Sequence, residues 1–217
     1  MLIAFDLDDT IIDTSGSVAP YKLRIFFKFL MRSGVQIGAL DQAIRETALL
    51  DQSCNSSKET VRRTLERFQA LHLYQEAIDL YSEPLPKDFI ISTTPNAKNV
   101  LYVLGQRGHI LVLVTAGKKL FQLEKLEKAG LEPSIFSKIT VSENSKKKSH
   151  YEMLLAEFSK SPGECYAVGD RILVDLAPAH DLGWSTVHMR WGRGKIGKKE
   201  NWIDHSICEL SELLEFL

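Results

Sequence analysis

Five short apolar runs punctuate the chain: Leu2-Ile3-Ala4-Phe5, Ile110-Leu111-Val112-Leu113-Val114, Ile139-Thr140-Val141, Tyr166-Ala167-Val168 and Thr186-Val187-His188-Met189. They lack polar alternation, so each predicts a strand covered on both faces, as in a parallel sheet. Helical patterns flank them at 96–106, 118–129, 149–159 and 173–182. Gly130 and Gly183 follow two of these stretches, where a chain leaving a helix often turns through positive φ. The alternation predicts an α/β fold, a parallel sheet sandwiched by helices.

One interval breaks this rhythm. From about 20 to 82 the pattern is helical throughout. Leu23, Phe26, Phe27 and Leu30 follow i, i+3, i+4, i+7 spacing; Leu40, Ala43, Ile44 and Thr47 do so less purely; Val61, Leu65 and Phe68 make a third stripe. Ser56 and Glu59 form a capping-box pattern just before that third stripe. Pro84, Pro86 and Pro95 punctuate the return to the strand–helix pattern. The reading is a core made of residues 1–14 and 85–217, carrying an all-helical insert at 15–84.

Composition changes this picture little. The 217 residues are 44% hydrophobic and 25% charged, an ordinary globular balance, and the formal net charge of -1 advertises neither a nucleic-acid nor a membrane partner. Cys54, Cys165 and Cys208 are odd in number, far apart and without metal-ligand spacing, which suits reduced thiols. No segment has the roughly 18 uninterrupted apolar residues of a membrane-crossing helix, and the first ten residues carry no basic leader. A soluble, cytoplasmic protein is expected. The scattered histidines His109, His180, His188 and His205 show no metal spacing, and Trp184, Trp191 and Trp202 read as packing residues.

The sharpest chemical feature is Asp6-Leu7-Asp8-Asp9-Thr10, directly after the first apolar run. Three carboxylates within four residues repel one another unless a cation, a cap or solvent compensates. A solvated acidic loop, with Asp9 or Asp13 capping a turn, is the plainer reading. Position favours a functional one, because ligand sites in open α/β sheets lie at the carboxyl ends of strands.

Here the chain resembles the haloacid dehalogenase superfamily, whose first motif is a strand followed by Asp-x-Asp-x-Thr; Asp6, Asp8 and Thr10 fill it. The second motif, a hydroxyl residue ending the next core strand, is matched by Thr115 in Leu113-Val114-Thr115-Ala116-Gly117. Many relatives carry Asn before that Gly, and Ala116 removes this amide. The third is a lysine ahead of the next helix, for which Lys146, Lys147 and Lys148 stand together. Ser149 with Glu152 forms a capping-box pattern that puts the helix start near Ser149. Counting back from the next acidic motif favours Lys146, and closeness to the helix favours Lys148. Lys146 stands first and Lys148 second, with at least two of the three expected as solvated surface charges. The fourth motif is Gly169-Asp170 followed by Asp175. The resemblance covers 1 to about 14 and about 85 to 217; the insert matches in position and helical character only.

The resemblance implies a Rossmann-like core with a helical cap domain, and an Mg²⁺-dependent phosphohydrolase acting on a small phosphorylated metabolite. It makes Asp6 the nucleophile that forms an aspartyl-phosphate and Asp8 the acid that protonates the leaving alkoxide, then the base that activates water. Asp8 would hold a proton part of the time, encouraged by the neighbouring acids. Thr115, with Ala116 and Gly117 on the same turn, and the motif lysine would hold the phosphoryl oxygens. Asp6, the backbone carbonyl of Asp8, Asp170 and Asp175 would hold the metal. An acid at position 8 argues against dehalogenation, whose halide leaving group needs no proton. Cap lysines Lys22, Lys28 and Lys58 offer no distinct Schiff-base candidate for phosphonate cleavage. In the insert Arg24, Arg32, Arg45, Arg62, Arg63 and Arg67 are possible substrate contacts, though most read as solvated helix faces. The alternatives are a phosphotransferase or mutase on the same scaffold, a non-catalytic regulatory protein that keeps the fold, and, last, a phosphoryl-accepting receiver domain. Oligomeric state is not legible.

Overall fold

A computed structural model describes residues 1–54, 56–143, 146–196 and 200–217. Its strands are β1 (Leu2–Phe5), β2 (Ile110–Ala116), β3 (Lys138–Ser142), β4 (Cys165–Gly169), β5 (Ser185–Met189) and β6 (His205–Ile207). The helices are α1 (Val18–Arg32), α2 (Leu40–Gln52), α3 (Ser57–Arg67), α4 (Tyr74–Tyr81), α5 (Ala97–Gln106), α6 (Lys119–Lys128), α7 (Lys148–Glu157) and α8 (Ala177–His180). The chain divides into two units, Met1–Thr14 with Ile90–Leu217, and Ser15–Phe89.

The first unit is an α/β core of Rossmann-like form. Its six-stranded sheet runs β3-β2-β1-β4-β5-β6, and every neighbouring pair is parallel. All five apolar runs are strands of this sheet. The sixth strand is a short edge in which Ile207 is buried and Ser206 exposed, so it carries no apolar run for a sequence reading to find. Helical crossovers cover the sheet; one apolar layer joins Leu2, Ala4, Val112 and Val114 to Tyr151, Leu154, Leu176 and Trp184. The chain moves outward from β1 to β2 and β3, then crosses back to β4 on the other side of β1. That reversal puts a crevice at the carboxyl ends of β1, β2 and β4, where ligands bind in such sheets.

Two elements depart from the sequence pattern. The expected helix at 173–182 is split into a π-helical turn, Ile172–Leu176, and α8. Pro178 has no amide to continue a regular ladder, and the wide turn lets the Asp175 side chain take the Arg171 amide at 2.9 Å. The C-terminal leucines form a 3₁₀ segment, Leu210–Glu215, with Leu210 and Leu213 buried and Leu214 half-buried. The tryptophans pack as expected. Trp184 lies against Tyr151 with ring centroids 4.9 Å apart, Trp202 against His180 at 4.7 Å, and Trp191 donates to Asp13 at 2.9 Å.

The second unit is all-helical, built from α1 to α4 with a 3₁₀ turn at Leu71–Leu73. Leu23, Phe26, Phe27 and Leu30 bury one stripe of α1 against Ala43 of α2, Val61 and Leu65 of α3 and Ala77 of α4. Ser56 caps α3 by accepting the Glu59 amide at 3.2 Å. Residues 85–89 belong to this unit: Leu85 is buried, and Phe89 packs on Tyr21 with ring centroids 4.9 Å apart. The Lys22 ammonium is buried and donates to the Glu83 carbonyl at 2.5 Å, tying the start of the unit to its end. Arg24, Arg62, Arg63 and Arg67 pair with Asp41, Glu66, Glu59 and Glu46 at the surface, and Arg32 and Arg45 are exposed.

Candidate active site

β1 delivers Asp6 to the sheet's carboxyl edge, where its amide donates to the Val168 carbonyl at 2.9 Å. The chain then curls sharply. The Leu7 carbonyl accepts the amides of Thr10, Ile11 and Ile12, and Asp9 adopts a φ of 57° in the left-handed region, which Asp tolerates better than most residues. Thr94, after the return from the helical unit, locks the curl by donating to the Thr10 carbonyl at 2.7 Å.

β4 supplies Asp170, and the wide turn after it supplies Asp175. Gly169, the last residue of β4 and just before Asp170, must be glycine: a Cβ there would lie 2.5 Å from the Asp175 Cβ. The Asp175 carbonyl accepts the Tyr151 hydroxyl at 3.0 Å. Asp6, Asp170 and Asp175 are all buried, and one carboxylate oxygen from each lies within 4.8 Å of the others.

The buried ammonium among them belongs to Lys147. Its Nζ lies 2.6 Å from Asp6 Oδ1 and 2.7 Å from Asp175 Oδ1, and the side chain is 0% exposed. This corrects the choice of Lys146 or Lys148. Both are exposed, and the Lys148 ammonium is 3.4 Å from Asp181. Helical phase gives the reason. The buried residues of α7 are Tyr151 and Leu154, and four residues back from Tyr151 is Lys147, whereas its neighbours lie about 100° to either side on a helix with 3.6 residues per turn. The Ser149–Glu152 capping box does not set the boundary either, since α7 begins at Lys148 with Lys147 at its N-cap.

Thr115 is the penultimate residue of β2 and is fully buried. The Gly117 amide donates to the Ser142 carbonyl at 3.0 Å, and the Thr115 hydroxyl oxygen lies 2.6 Å from Gln122 Nε2. Asp8 faces two side chains that the sequence reading did not single out. Lys125 Nζ lies 2.7 and 2.9 Å from its two oxygens, and Gln122 Nε2 lies 2.9 Å from Oδ2. Thr14 also donates to Asp8. A signal for the pair exists in the sequence: the buried stripe of α6 and the turn after it is Gln122, Lys125, Leu126 and Ala129, an i, i+3, i+4, i+7 set with polar residues at two core positions.

These environments push the carboxyls apart. Burial raises Asp6 to about 6 despite Lys147, with Asp175 adding to the rise. Burial, with Asp175 and Asp9 close by, raises Asp170 well above the usual carboxylate range. Burial would also raise Asp175, but Lys147 and Arg171 outweigh it and hold Asp175 below its ordinary value. At Asp8, burial is overcome by Lys125, Gln122 and Thr14, and the group is held well below the usual range. The expectation that neighbouring acids keep Asp8 partly protonated is therefore reversed: a lysine and an amide, not other carboxylates, surround it.

The acid trio fits a hard divalent cation. Among the described residues Asp6 Oδ2 and Asp170 Oδ1 are buried without a hydrogen-bond partner, and both residues resist ionisation. Unpaired buried carboxylate oxygens are costly, and a cation with oxygen ligands relieves that cost. The Asp8 side chain lies with Lys125 and Gln122 rather than in this trio.

Comparison with known proteins agrees with this geometry. The chain is 27% identical over 228 residues to a glyceraldehyde 3-phosphate phosphatase of Pyrococcus furiosus, covering 100% of this chain and 92% of that protein. It is likewise 27% identical to the enzyme of that name from Methanocaldococcus jannaschii, covering 99% of this chain and 96% of that one. Among solved structures, the HAD-hydrolase YfnB of Bacillus subtilis bound to magnesium shares the fold, with a TM-score of 0.68 and 18% identity, covering 99% of this chain and 96% of that one. A family model described as haloacid dehalogenase-like hydrolase matches residues 1–183, which span the helical unit and every site residue described above. The chain belongs to the haloacid dehalogenase-like hydrolases.

Proposed function

We propose that this hydrolase is a magnesium-dependent phosphatase of small phosphorylated metabolites, with a triose phosphate such as glyceraldehyde 3-phosphate as the first substrate to try. The observation that carries this reading is Asp6, a buried carboxylate at the carboxyl end of the central strand, with Lys147 on one oxygen and, among the described residues, no hydrogen-bond partner on the other. The names of the two archaeal relatives support the substrate class.

Asp6, Asp170 and Asp175 would hold Mg²⁺, with the Asp8 carbonyl as the further ligand that the family resemblance suggests. When bound, the ion supplies positive charge that offsets the repulsion between Asp6 and a phosphate dianion. An Asp6 oxygen attacks phosphorus and the bond to the leaving alkoxide breaks, giving an aspartyl-phosphate. Lys147 and the Thr115 hydroxyl offer donors to the phosphoryl oxygens as charge spreads onto them. Asp8 gives a proton to the alkoxide, then takes one from the water that attacks the aspartyl-phosphate, which releases phosphate and restores Asp6. Asp8 is ionised at rest, so it first takes a proton from solvent as the negative charge of the arriving phosphate raises its proton affinity, and the proton it later takes from water returns to solvent when phosphate leaves. The all-helical unit Ser15–Phe89 matches, in its position along the chain, the helical cap that the family resemblance implies.

The direct test is phosphate release from glyceraldehyde 3-phosphate and a panel of small phosphomonoesters, with and without Mg²⁺. Turnover that EDTA abolishes and Mg²⁺ restores is expected; turnover indifferent to EDTA would overturn the proposal.

Metal binding should also compete with protons. Burial lifts Asp6 to about 6, so the metal-free protein holds a proton there at lower pH, and Asp170, also raised, extends this competition upward. The rise in melting temperature on adding Mg²⁺ is expected to be larger at pH 8 than at pH 5. Apparent affinity should fall about tenfold per pH unit for each proton displaced. A magnesium shift that is the same at pH 5 and pH 8 would remove Asp6 and Asp170 from the metal site.

A further inference from the structure

Gln122 stands where Asp8 and Thr115 meet. Its Nε2 lies 2.9 Å from Asp8 Oδ2, 2.6 Å from Thr115 Oγ1 and 3.0 Å from the Ala116 carbonyl. A carboxylate and a carbonyl only accept, so the amide nitrogen, not its oxygen, must face this group. That nitrogen has no lone pair to offer, so the Thr115 oxygen accepts from it and the Thr115 proton is directed to another acceptor. One helical turn along the same face, the buried Lys125 ammonium takes both oxygens of Asp8 and lies 4.9 Å from the centre of the Phe121 ring, which helps to fix its stem.

We propose that Gln122 and Lys125 form a clamp of positioning residues, which holds the Asp8 carboxylate in register with the leaving-group oxygen and turns the Thr115 proton towards the phosphoryl group. The clamp rests on the phosphatase reading and adds two residues to it. Neither touches the reacting atoms; both act through Asp8 and Thr115. Because the pair sits on one face of α6 directly after β2, the strand that delivers Thr115 also sets the group that aims Asp8.

The leaving group provides the test. An alkoxide needs the proton that a correctly placed Asp8 delivers, whereas p-nitrophenolate departs without one. kcat/KM covers only the steps through breakage of the phosphorus–oxygen bond, so both substrates can be compared without the shared second step. In Gln122→Met and Lys125→Met, the ratio of kcat/KM for an alkyl phosphomonoester (glyceraldehyde 3-phosphate or glycerol phosphate) to that for p-nitrophenyl phosphate is expected to fall on the order of 10²-fold. Lys125→Arg, which keeps a donor to Asp8, should recover part of the ratio. A merely structural role would lower both substrates together and leave the ratio where it was, and that result would overturn the clamp. Thermal melting supplies a second measurement in metal-free protein. The effects of Lys125→Met and Asp8→Asn should be non-additive in a double-mutant cycle, and additivity would likewise overturn the clamp. Wild-type protein that released phosphate from neither substrate would overturn the phosphatase reading itself, a result distinct from either of these.

Discussion

Asp6→Asn is expected to stop phosphate release, by on the order of 10⁴-fold or more if the carboxylate is the nucleophile, while leaving the protein folded. The loss follows from chemistry. An amide oxygen at this position cannot form an aspartyl-phosphate, and Asp175, held by Lys147 and the Arg171 amide, is not free to replace it. The retained fold follows from electrostatics. Burial raises Asp6 to about 6, which means that the fold disfavours its ionised form. For a carboxyl whose folded value lies above its unfolded one, ionisation costs stability at pH above both, and the cost disappears as pH falls through them. A neutral isostere removes that cost at pH 8, so metal-free Asp6→Asn should melt no lower than wild type there, even with one partner of Lys147 gone. The two should converge towards pH 4, where the wild-type carboxyl is itself protonated. Activity measured beside melting curves at pH 8 checks both halves. Retained turnover would sink the nucleophile assignment, and a melting temperature well below wild type would show that the Asp6–Lys147 pair outweighs the burial of Asp6.

Much of this was legible from the order of residues, and the parts that were not have separate physical causes. β1, β2, β4 and β5 are apolar runs because both faces of the sheet are covered there, and coverage leaves a mark in composition; β3, at the sheet's edge, is half-buried over Lys138–Val141. Asp6, Asp170 and Asp175 follow strand ends, so reading the strands located the acids. β6 escaped because an edge strand of three residues with one buried side chain has no such mark. Gln122, Lys125 and Lys147 escaped for a different reason. Each is a polar residue on the buried stripe of a helix or at its N-cap, and polar residues on helices are by default assigned to the solvent face. Their phase contradicts that default: Gln122 and Lys125 share a face with Leu126, and Lys147 shares one with Tyr151 and Leu154. The helix at 173–182 was misread because Pro178 and the Asp175 side-chain bond widen it, and both act through backbone geometry that an apolar pattern does not register.

The three adjacent lysines separate by phase alone, and their substitution should separate as sharply. Lys147→Met is expected to destabilise metal-free protein by about 3–5 kcal/mol, the usual consequence of removing one partner from a buried ion pair. Lys146→Met should stay within about 0.5 kcal/mol of wild type, as surface changes do, and Lys148→Met within about 1 kcal/mol, the limit for its exposed pair with Asp181. The asymmetry arises because Lys147 is the common partner of Asp6 and Asp175; without it two carboxylates face each other, beside Asp170, in a buried site. Magnesium should therefore raise the melting temperature of Lys147→Met more than that of wild type, because the ion replaces part of the missing charge. Turnover should not return with stability. Mg²⁺ restores positive charge near the carboxylates but not the ammonium donor proposed for the phosphoryl oxygens, and loss of such a donor costs roughly 10²–10³-fold in kcat. Stability rescued by the ion while kcat stays low would place Lys147 in catalysis as well as in the fold. Recovery of both together would make it a structural counter-charge only, and a larger loss in Lys146→Met or Lys148→Met would return the role to the residues that spacing alone had favoured.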